Sequence, residues 1–507
     1  MTAMTLEHPR PGAAPLDLAH LDLDSFAGRP VAVLGLARSG VALARFLADR
    51  GAQVTVYDQR PRADLEAQVG SLEGRAVILR LGAGVDPAEV LRDQALITTS
   101  PAVSSRFNTT EPRLRAALAD VEAAGRVPVV SEIDLFLRLC PCPTVGVTGT
   151  KGKTTTSALC AAVLGAGAAP VLLGGNIGTP LVERLPDLTP GHRVVLEISE
   201  LQLPTLSRGT TVAVYTHVTQ DHLDRHGSVA AYRAVKRRLA EIVDPDGALV
   251  LNAEDPVSLA YAGLGTTPTV LYRRELPMPG GVGIVDDWIV AAGVETLPVA
   301  GGQTAAAGPQ GRIMPVDEIA LPGRHNRSNV LAAVAVGLLF GIAPDGIRRA
   351  VADFRGVEHR LEFVAEIDGV RFVNDSQATQ PDAVIAGLES FEAPLVLIAG
   401  GRDKGVDLRE MARVAVGRAD AVILIGESAP LLANVLAAAG HPHVSRAADL
   451  AAAVIEADAT ARRLAQGRLA TVLLSPAATS FDQFVDYAAR GRAFKAAVAA
   501  VARGRWA

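Results

Sequence analysis

Thr148, Gly149, Thr150, Lys151, Gly152, Lys153 and Thr154 are the residues whose types and order could most directly do chemistry, and that chemistry is the holding of phosphate. Glycines let backbone N–H groups converge on phosphate oxygens, a lysine such as Lys153 reaches the outer phosphates, and a hydroxyl such as that of Thr154 can ligate Mg2+ at a positive helix N-terminus. The common pattern places its first glycine where this chain has Val147, and its own glycines are Gly146 and Gly149. A nucleoside triphosphate is the expected ligand of this variant cradle.

Further along, Glu197 ends the apolar run Val194-Val-Leu-Glu-Ile-Ser199, and His222 lies in Gln220-Asp-His-Leu-Asp-Arg225 just after the run Val212-Ala-Val-Tyr-Thr-His-Val-Thr219. A polar group at the end of a buried strand is costly unless satisfied. Taken singly, either residue reads as a hydrogen-bonded structural group; beside the cradle, Mg2+ or phosphate is the better satisfier. The segment Tyr232-Arg-Ala-Val-Lys-Arg-Arg-Leu239, which contains Lys236, reads from its residues alone as a helix with a solvated basic face.

The elements that must position these groups follow from the pattern of runs and turns. Residues 29–131 open with Pro30-Val-Ala-Val-Leu-Gly-Leu-Ala-Arg-Ser-Gly40, a helical stretch, and Ala52-Gln-Val-Thr-Val-Tyr-Asp58, a strand, glycine turn, helix, strand sequence of Rossmann-like type. Asp58 closes the second strand where a ribose-binding acid would sit, although many such turns need glycine for packing alone. Residues 132–356 hold the cradle on alternating strands and helices, which predicts a parallel or mixed sheet, followed by a β-rich stretch from about 268 to 320 and a loop at 300–311. Residues 357–507 carry four apolar runs, beginning at Val370, Pro394, Ala421 and Thr471, that predict a doubly wound Rossmann-like domain. The fold class is therefore α/β in three domains, preceded by a loose extension over residues 1–28.

Composition excludes several classes. A net charge of −5 gives no long-range attraction to nucleic acid or anionic lipid. Residues 1–28 lack the charged start and apolar core of a signal peptide, and the longest helical apolar stretch, 330–342, is too short to cross a bilayer and reads as a buried helix. Cys140, Cys142 and Cys160 are the cysteines; the C-x-C spacing matches neither a zinc site nor a redox pair, so reduced structural thiols in a cytoplasmic protein are expected.

Val147-Thr-Gly-Thr-Lys-Gly-Lys-Thr154, Gly175-Asn-Ile-Gly178, Asp221-His-Leu-Asp-Arg225, Tyr232-Arg-Ala-Val-Lys236, Leu321-Pro-Gly-Arg-His-Asn326, His359-Arg360, Asn374-Asp-Ser376 and Leu474-Ser-Pro-Ala-Ala-Thr-Ser480 occur in an order that resembles the Mur ligases. The resemblance runs from about residue 28 to the end. The short first domain and the ending Ser480-Phe-Asp-Gln-Phe-Val-Asp-Tyr487 are most similar to members that add D-glutamate to UDP-MurNAc-L-alanine in peptidoglycan synthesis. It implies an ATP-dependent, ADP-forming ligase with two Mg2+ sites, acting on small molecules as a monomer, with no nucleic-acid or membrane partner.

Roles come with the resemblance. Lys153, Glu197, His222 and Lys236 are the implied catalytic residues. Thr154 and Glu197 would hold one Mg2+, and His222 with Lys236 the other, Lys236 bearing CO2 as a carbamate. Thr148 to Thr154 with Asn326, Arg360 and Asp375 would bind ATP. Leu36, Ala37, Arg38, Asp58, Ser100, Pro101, Asn176 and Gln202 match UDP-sugar positions, and Thr379, Lys404, Ser480 and Tyr487 match amino-acid positions. Two departures stand out: Gln377 replaces the usual lysine of Ser-Lys-Ala-Thr, and Glu200 replaces the second serine of Ser-Ser-Phe-Gln. Both make the surroundings of carboxylate substrates more negative, so an L-glutamate-adding relative stays open, as does a ligase for another muramoyl-peptide or for folate. A nicotinamide oxidoreductase would need neither the cradle nor a third domain. A non-catalytic nucleotide-binding protein would have no use for Lys153, Glu197, His222 and Lys236 together.

Overall fold

The computed structural model describes residues 14–506, apart from 108–109, 179, 221–225, 265–266, 322 and 404–405. Each expected strand run forms, and each lies in one of three sheets.

The first sheet has the order β3-β2-β1-β4-β5, all parallel, from β1 (Pro30–Leu34), β2 (Gln53–Asp58), β3 (Val77–Leu81), β4 (Leu96–Thr99) and β5 (Val129–Ser131). Its central strands β1 and β4 are buried throughout, and β1 reads as an unbroken apolar run: helices cover both faces of a parallel sheet. The helix Arg38–Asp49 follows β1 directly. A Cβ on Gly40 would lie 1.7 Å from the Gly35 carbonyl oxygen, so the glycine here serves close packing of helix start on turn.

The extension before residue 29 is not loose where it is described. Leu16 and Phe26 are 9% and 0% exposed, the Leu16 N–H donates to the Ala95 carbonyl at 2.9 Å, and the Phe26 and Phe46 rings meet edge to face at 5.9 Å. Apolar residues spaced among prolines and acids gave no periodic signal, yet they cover the outer helix of the first sheet.

The second sheet, β14-β13-β12-β11-β10-β9-β6-β8-β7, is built from β6 (Thr144–Thr148), β7 (Val171–Gly175), β8 (Arg193–Glu197), β9 (Val212–Tyr215), β10 (Ala248–Asn252), β11 (Thr269–Tyr272), β12 (Val282–Val285), β13 (Trp288–Ala291) and β14 (Arg312–Pro315). It is parallel from β7 to β12 and ends in an antiparallel pair of hairpins. Asp286 and Asp287, with φ of 47° and 59°, join β12 to β13 in a two-residue turn whose hand matches strand twist. Within 300–311, expected as a loop, Thr304 bridges to Glu295 and Pro309–Gly311 forms a 3-10 turn. The helix Arg324–Leu339 is buried from Val330 onward, as its unrelieved apolar run requires.

The third sheet, β15-β16-β20-β17-β18-β19, contains β15 (Glu362–Ile367), β16 (Val370–Asn374), β17 (Leu395–Gly400), β18 (Ala421–Ile425), β19 (Val444–Arg446) and β20 (Ala470–Leu474). Only β15 runs antiparallel. Contacts divide the chain into two compact units: Met1–Ile319 with Arg324–Asp353, and Ala320–Gly323 with Phe354–Ala507. Among the described residues no helix is long and apolar enough to cross a membrane.

Candidate active site

Within the larger unit, β6 lies between β8 and β9, with Val147 opposite Glu197 and Thr148 opposite Tyr215. The cradle leaves the end of β6, and Gly152, at φ 89°, caps the helix Lys153–Gly165, whose N-terminus is the end that favours a phosphate. Lys153 Nζ bends back over the loop and donates to the carbonyls of Gly149 and Thr150 at 3.2 and 2.9 Å. Lys151 is exposed and Thr154 is buried at the first turn.

The loop is held from beneath by Thr216, Tyr232 and Asn329, none of which was assigned a role above. Thr216 Oγ1 donates to the carbonyls of Thr148 and Lys151, and Thr150 Oγ1 shares a 2.9 Å hydrogen bond with the Tyr232 hydroxyl. Asn326, expected at ATP, is tied to the cradle helix by a relay: Asn329 Nδ2 donates to Asn326 Oδ1 at 3.0 Å, and Thr156 Oγ1 donates to Asn329 Oδ1 at 3.1 Å. Asn329 stands one helical turn after Asn326, and Tyr232 one turn before Lys236, so helical spacing is the signal that could have found both.

Gly149 explains the displaced glycine. Its φ is 149°, and a Cβ there would sit 2.0 Å from Thr216 Oγ1 and 3.2 Å from the His217 backbone nitrogen. Gly149→Ala is therefore expected to weaken ATP binding by ~10-fold or more and to lower the thermal midpoint, as titration calorimetry and thermal melts would register.

Glu197 at the end of β8 is 2% exposed. Its Oε1 accepts from Asn176 Nδ2 at 2.8 Å, while its Oε2 is buried with no hydrogen-bond partner among the described residues. A buried orphan carboxylate oxygen is the kind of group that a cation satisfies. Lys236 is no part of a solvated face: it is 0% exposed, its Nζ donates to Thr148 Oγ1 at 3.2 Å and stands 5.5 Å from the Tyr232 ring centre. Thr148 Oγ1 in turn donates to the Ile198 carbonyl, one residue past Glu197, so Lys236 and Glu197 converge on the same pair of strand ends. His222 lies outside the described residues.

On the first sheet, Leu36, Ala37, Arg38, Ser100 and Pro101 gather at the carboxyl ends of β1 and β4, where ligands of such sheets bind. The Leu36 side chain is buried, so its backbone is what faces the turn; its N–H donates to Asp58 Oδ2 at 2.8 Å. Burial pushes the Asp58 carboxyl up, but Arg60, bonded to both its oxygens at 3.0 and 2.8 Å, and the Leu36 N–H hold it below the usual carboxylate range. Arg60 was not singled out from the sequence. The Gln202 side-chain oxygen is taken up locally by the Ser199 N–H and hydroxyl.

In the smaller unit, loops at the carboxyl ends of β16, β17 and β20 meet. Arg490, 1% exposed, donates through Nε to Ser376 Oγ, through Nη2 to the carbonyls of Ser376 and Ala478, and through Nη1 to that of Gly400. Ser376 Oγ donates to the Tyr487 carbonyl, and Arg402 and Thr479 exchange backbone bonds. The structure thus brings Thr379, Ser480 and Tyr487 onto one edge; Lys404 lies outside the described residues. Arg490 was missed, although it follows Tyr487 on one turn of the Tyr487–Trp506 helix. Arg360 is half-buried between His359 and Leu361, whose φ angles of 65° and 43° mark a tight turn.

Asp375 is buried, accepting from Ser475 Oγ at 2.8 Å and from the Leu361 N–H at 3.1 Å. Burial pushes its carboxyl up to about 7 against those bonds. A folded-state value above the unfolded one makes this group's contribution to stability greatest in acid and lost as pH rises through about 7. Thermal midpoints of Asp375→Asn should therefore fall less than those of the unaltered protein between about pH 5 and about pH 8.

A triphosphate cradle on a mainly parallel sheet, preceded by a Rossmann-like sheet and followed by a doubly wound one, defines a class of three-domain nucleotide-dependent α/β proteins. The chain belongs to the Mur ligase family. It matches the Mur ligase MurD-like N-terminal domain over residues 29–125, the Mur ligase middle domain over 147–337 and the Mur ligase glutamate ligase domain over 359–478. Two relatives, each called "UDP-N-acetylmuramoylalanine--D-glutamate ligase", come from Pelotomaculum thermopropionicum and Acidobacterium capsulatum. The first is 37% identical over 95% of this chain and 100% of the relative, the second 39% over 92% and 95%. Among solved structures, the UDP-N-acetylmuramate-alanine ligase MurC of Thermotoga maritima shares the fold with a TM-score of 0.52 at 18% identity, over 93% of this chain and all of that one.

Proposed function

We propose that the protein joins D-glutamate to the alanyl carboxylate of UDP-N-acetylmuramoyl-L-alanine in peptidoglycan synthesis, consuming ATP and releasing ADP and phosphate. The observation that carries the reading is the convergence of Lys153, Thr154, the orphan oxygen of Glu197 and the buried Lys236 around the strand ends beside one cradle. The named relatives supply the substrates.

In this reading residues 29–131 bind the uridine diphosphate, 132–356 bind ATP and 357–507 present the amino acid. A carboxylate is a poor acylating agent, so transfer of the γ-phosphoryl group makes it an acyl phosphate that the amine of glutamate attacks, with phosphate as leaving group. Lys153 leaves the loop carbonyls to meet the transferring phosphoryl, and backbone N–H groups of the loop other than that of Thr150, which donates to the His217 carbonyl, hold the phosphates. Thr154, Glu197, His222 and Lys236 would hold Mg2+ in two sites; the unsatisfied Glu197 Oε2 fits that donor set. When bound, the cation offsets charge on the phosphoryl oxygens. An ammonium is no ligand for a hard cation, so Lys236 serves as a carbamate, a carboxylate-like oxygen donor made with CO2. Thr379, Lys404, Ser480 and Tyr487 receive the amino acid, a cation and hydroxyls for a dicarboxylate.

Phosphate release is the test. With ATP, Mg2+ and the UDP-sugar present, D-glutamate should accelerate it well above the rate without amino acid; no acceleration overturns the assignment. Gln377 and Glu200 favour a second reading in which L-glutamate is the amine, and acceleration by the L-enantiomer alone would select it.

A further inference from the structure

We propose that Cys140 and Cys142 form an oxidisable dithiol that a hydroperoxide converts to an intrachain disulfide at the root of β6. The pair was expected to be inert on the ground of its spacing, but the backbone geometry alters that. The helix Glu132–Leu139 ends at Cys140, whose N–H still donates to the Phe136 carbonyl at 2.9 Å while its own φ and ψ of −68° and 119° turn the chain out of the helix. Exposed Pro141 forms the apex of this turn. The bend folds Cys140 Sγ back to 3.5 Å from Cys142 Sγ and 3.6 Å from the Cys142 carbonyl oxygen.

As whole residues, Cys140 is half-buried and Cys142 buried. The hydrogen bond from Cys142 pulls the Cys140 thiol below its ordinary value, overcoming burial, and the Arg208 charge adds to this. The same bond, with burial, pushes Cys142 up. Cys160, wholly buried and pushed up by burial, has no such partner among the described residues.

The step balances with the peroxide as oxidant. Cys140 thiolate attacks the terminal peroxide oxygen, the O–O bond breaks, and the other oxygen leaves after protonation, as water from hydrogen peroxide or as the alcohol from an organic hydroperoxide. The resulting sulfenic sulfur is attacked by the Cys142 sulfur, which gives up its proton; the S–S bond forms, the S–O bond breaks and water leaves. Two thiols are oxidised by two electrons and one peroxide is reduced. Closing the bond needs the sulfurs to approach to about 2.0 Å. A short ring of this kind is strained and so readily reduced by thiols, which makes the change reversible. The ring adjoins Pro143, whose carbonyl accepts from the Val194 N–H at 3.2 Å, and Thr144, whose N–H donates to Thr211 Oγ1 at 3.1 Å. These are the pairings that start the strand bearing the phosphate cradle.

The full-length protein treated with stoichiometric hydrogen peroxide, then unfolded and alkylated, tests this. Alkylatable thiols should fall from three to one, with an intact-mass loss of about two hydrogens recovered by dithiothreitol. Cys142→Ser should instead stop at a Cys140 sulfenic acid that dimedone traps, with basal ligase activity unchanged, and Cys160→Ser should still lose two thiols. Retention of all three thiols, a disulfide between two chains, or equal loss from Cys160 would overturn the proposal.

Discussion

Lys236→Ala should reduce turnover by ~10³-fold or more, and excess bicarbonate should not restore it. The expectation rests on position: a wholly buried amine beside Thr148 Oγ1 and close to the strand end that carries Glu197 can matter to chemistry only as something other than a solvated cation. Affinity for a non-hydrolysable ATP analogue should change far less, because the phosphates are held by the cradle. A crystal grown with ATP and bicarbonate should show density for a carboxylate beyond Lys236 Nζ. Density ending at the nitrogen would remove the carbamate from the mechanism.

The second large effect is expected at Arg490. Burial brings its guanidinium down to about 10, and no carboxylate among the described residues bonds it; its partners are carbonyls and one hydroxyl from three loops. Arg490→Ala leaves those acceptors buried and unmatched, and should destabilise the Phe354–Ala507 unit by ~3 kcal/mol or more. Because the loops carry Thr379 and Ser480, the KM for the amino acid should rise by ~10-fold or more while the KM for the UDP-sugar stays close to that of the unaltered protein. Arg490→Lys should recover part of the stability and little of the KM, since a point charge cannot span three loops. Equal changes in both KM values would show that the arginine merely supports the fold.

What could be read in advance was what burial on both faces writes into a strand: β1 and β17 are unbroken apolar runs, and β6, β8 and β20 are apolar at most positions. The strands that escaped notice were edge or three-residue strands, such as β3 with its half-buried Val77 to Leu81, β5, β15 and β19. With one side or one face open, the selective pressure for apolar residues weakens and the pattern dissolves. The site followed the same logic. The cradle was legible because its glycines and lysine are adjacent, and Glu197 because a strand cannot hide an acid. Lys236 read wrongly from local pattern, since Arg233, Arg237 and Arg238 around it do face outward and only the helix's packing decides which cation turns in. Thr216 and Arg490 act through partners more than sixty residues away, Lys151 and Ser376, so no window of sequence contains either pair.

The segment before β1 bears on how this protein can be handled. The first-domain family match begins at residue 29, an inviting place to start a shortened chain. Such a chain would strip Leu16 and Phe26 from the sheet, free the Ala95 and Gly51 carbonyls from the N–H groups of Leu16 and Gly28, and leave Arg138 without the Leu18 carbonyl it holds at 2.9 Å. An oily patch near the amino ends of β1, β2 and β4 would face water, so a preparation begun at residue 29 should be sticky at concentrations where one begun at residue 14 stays monodisperse.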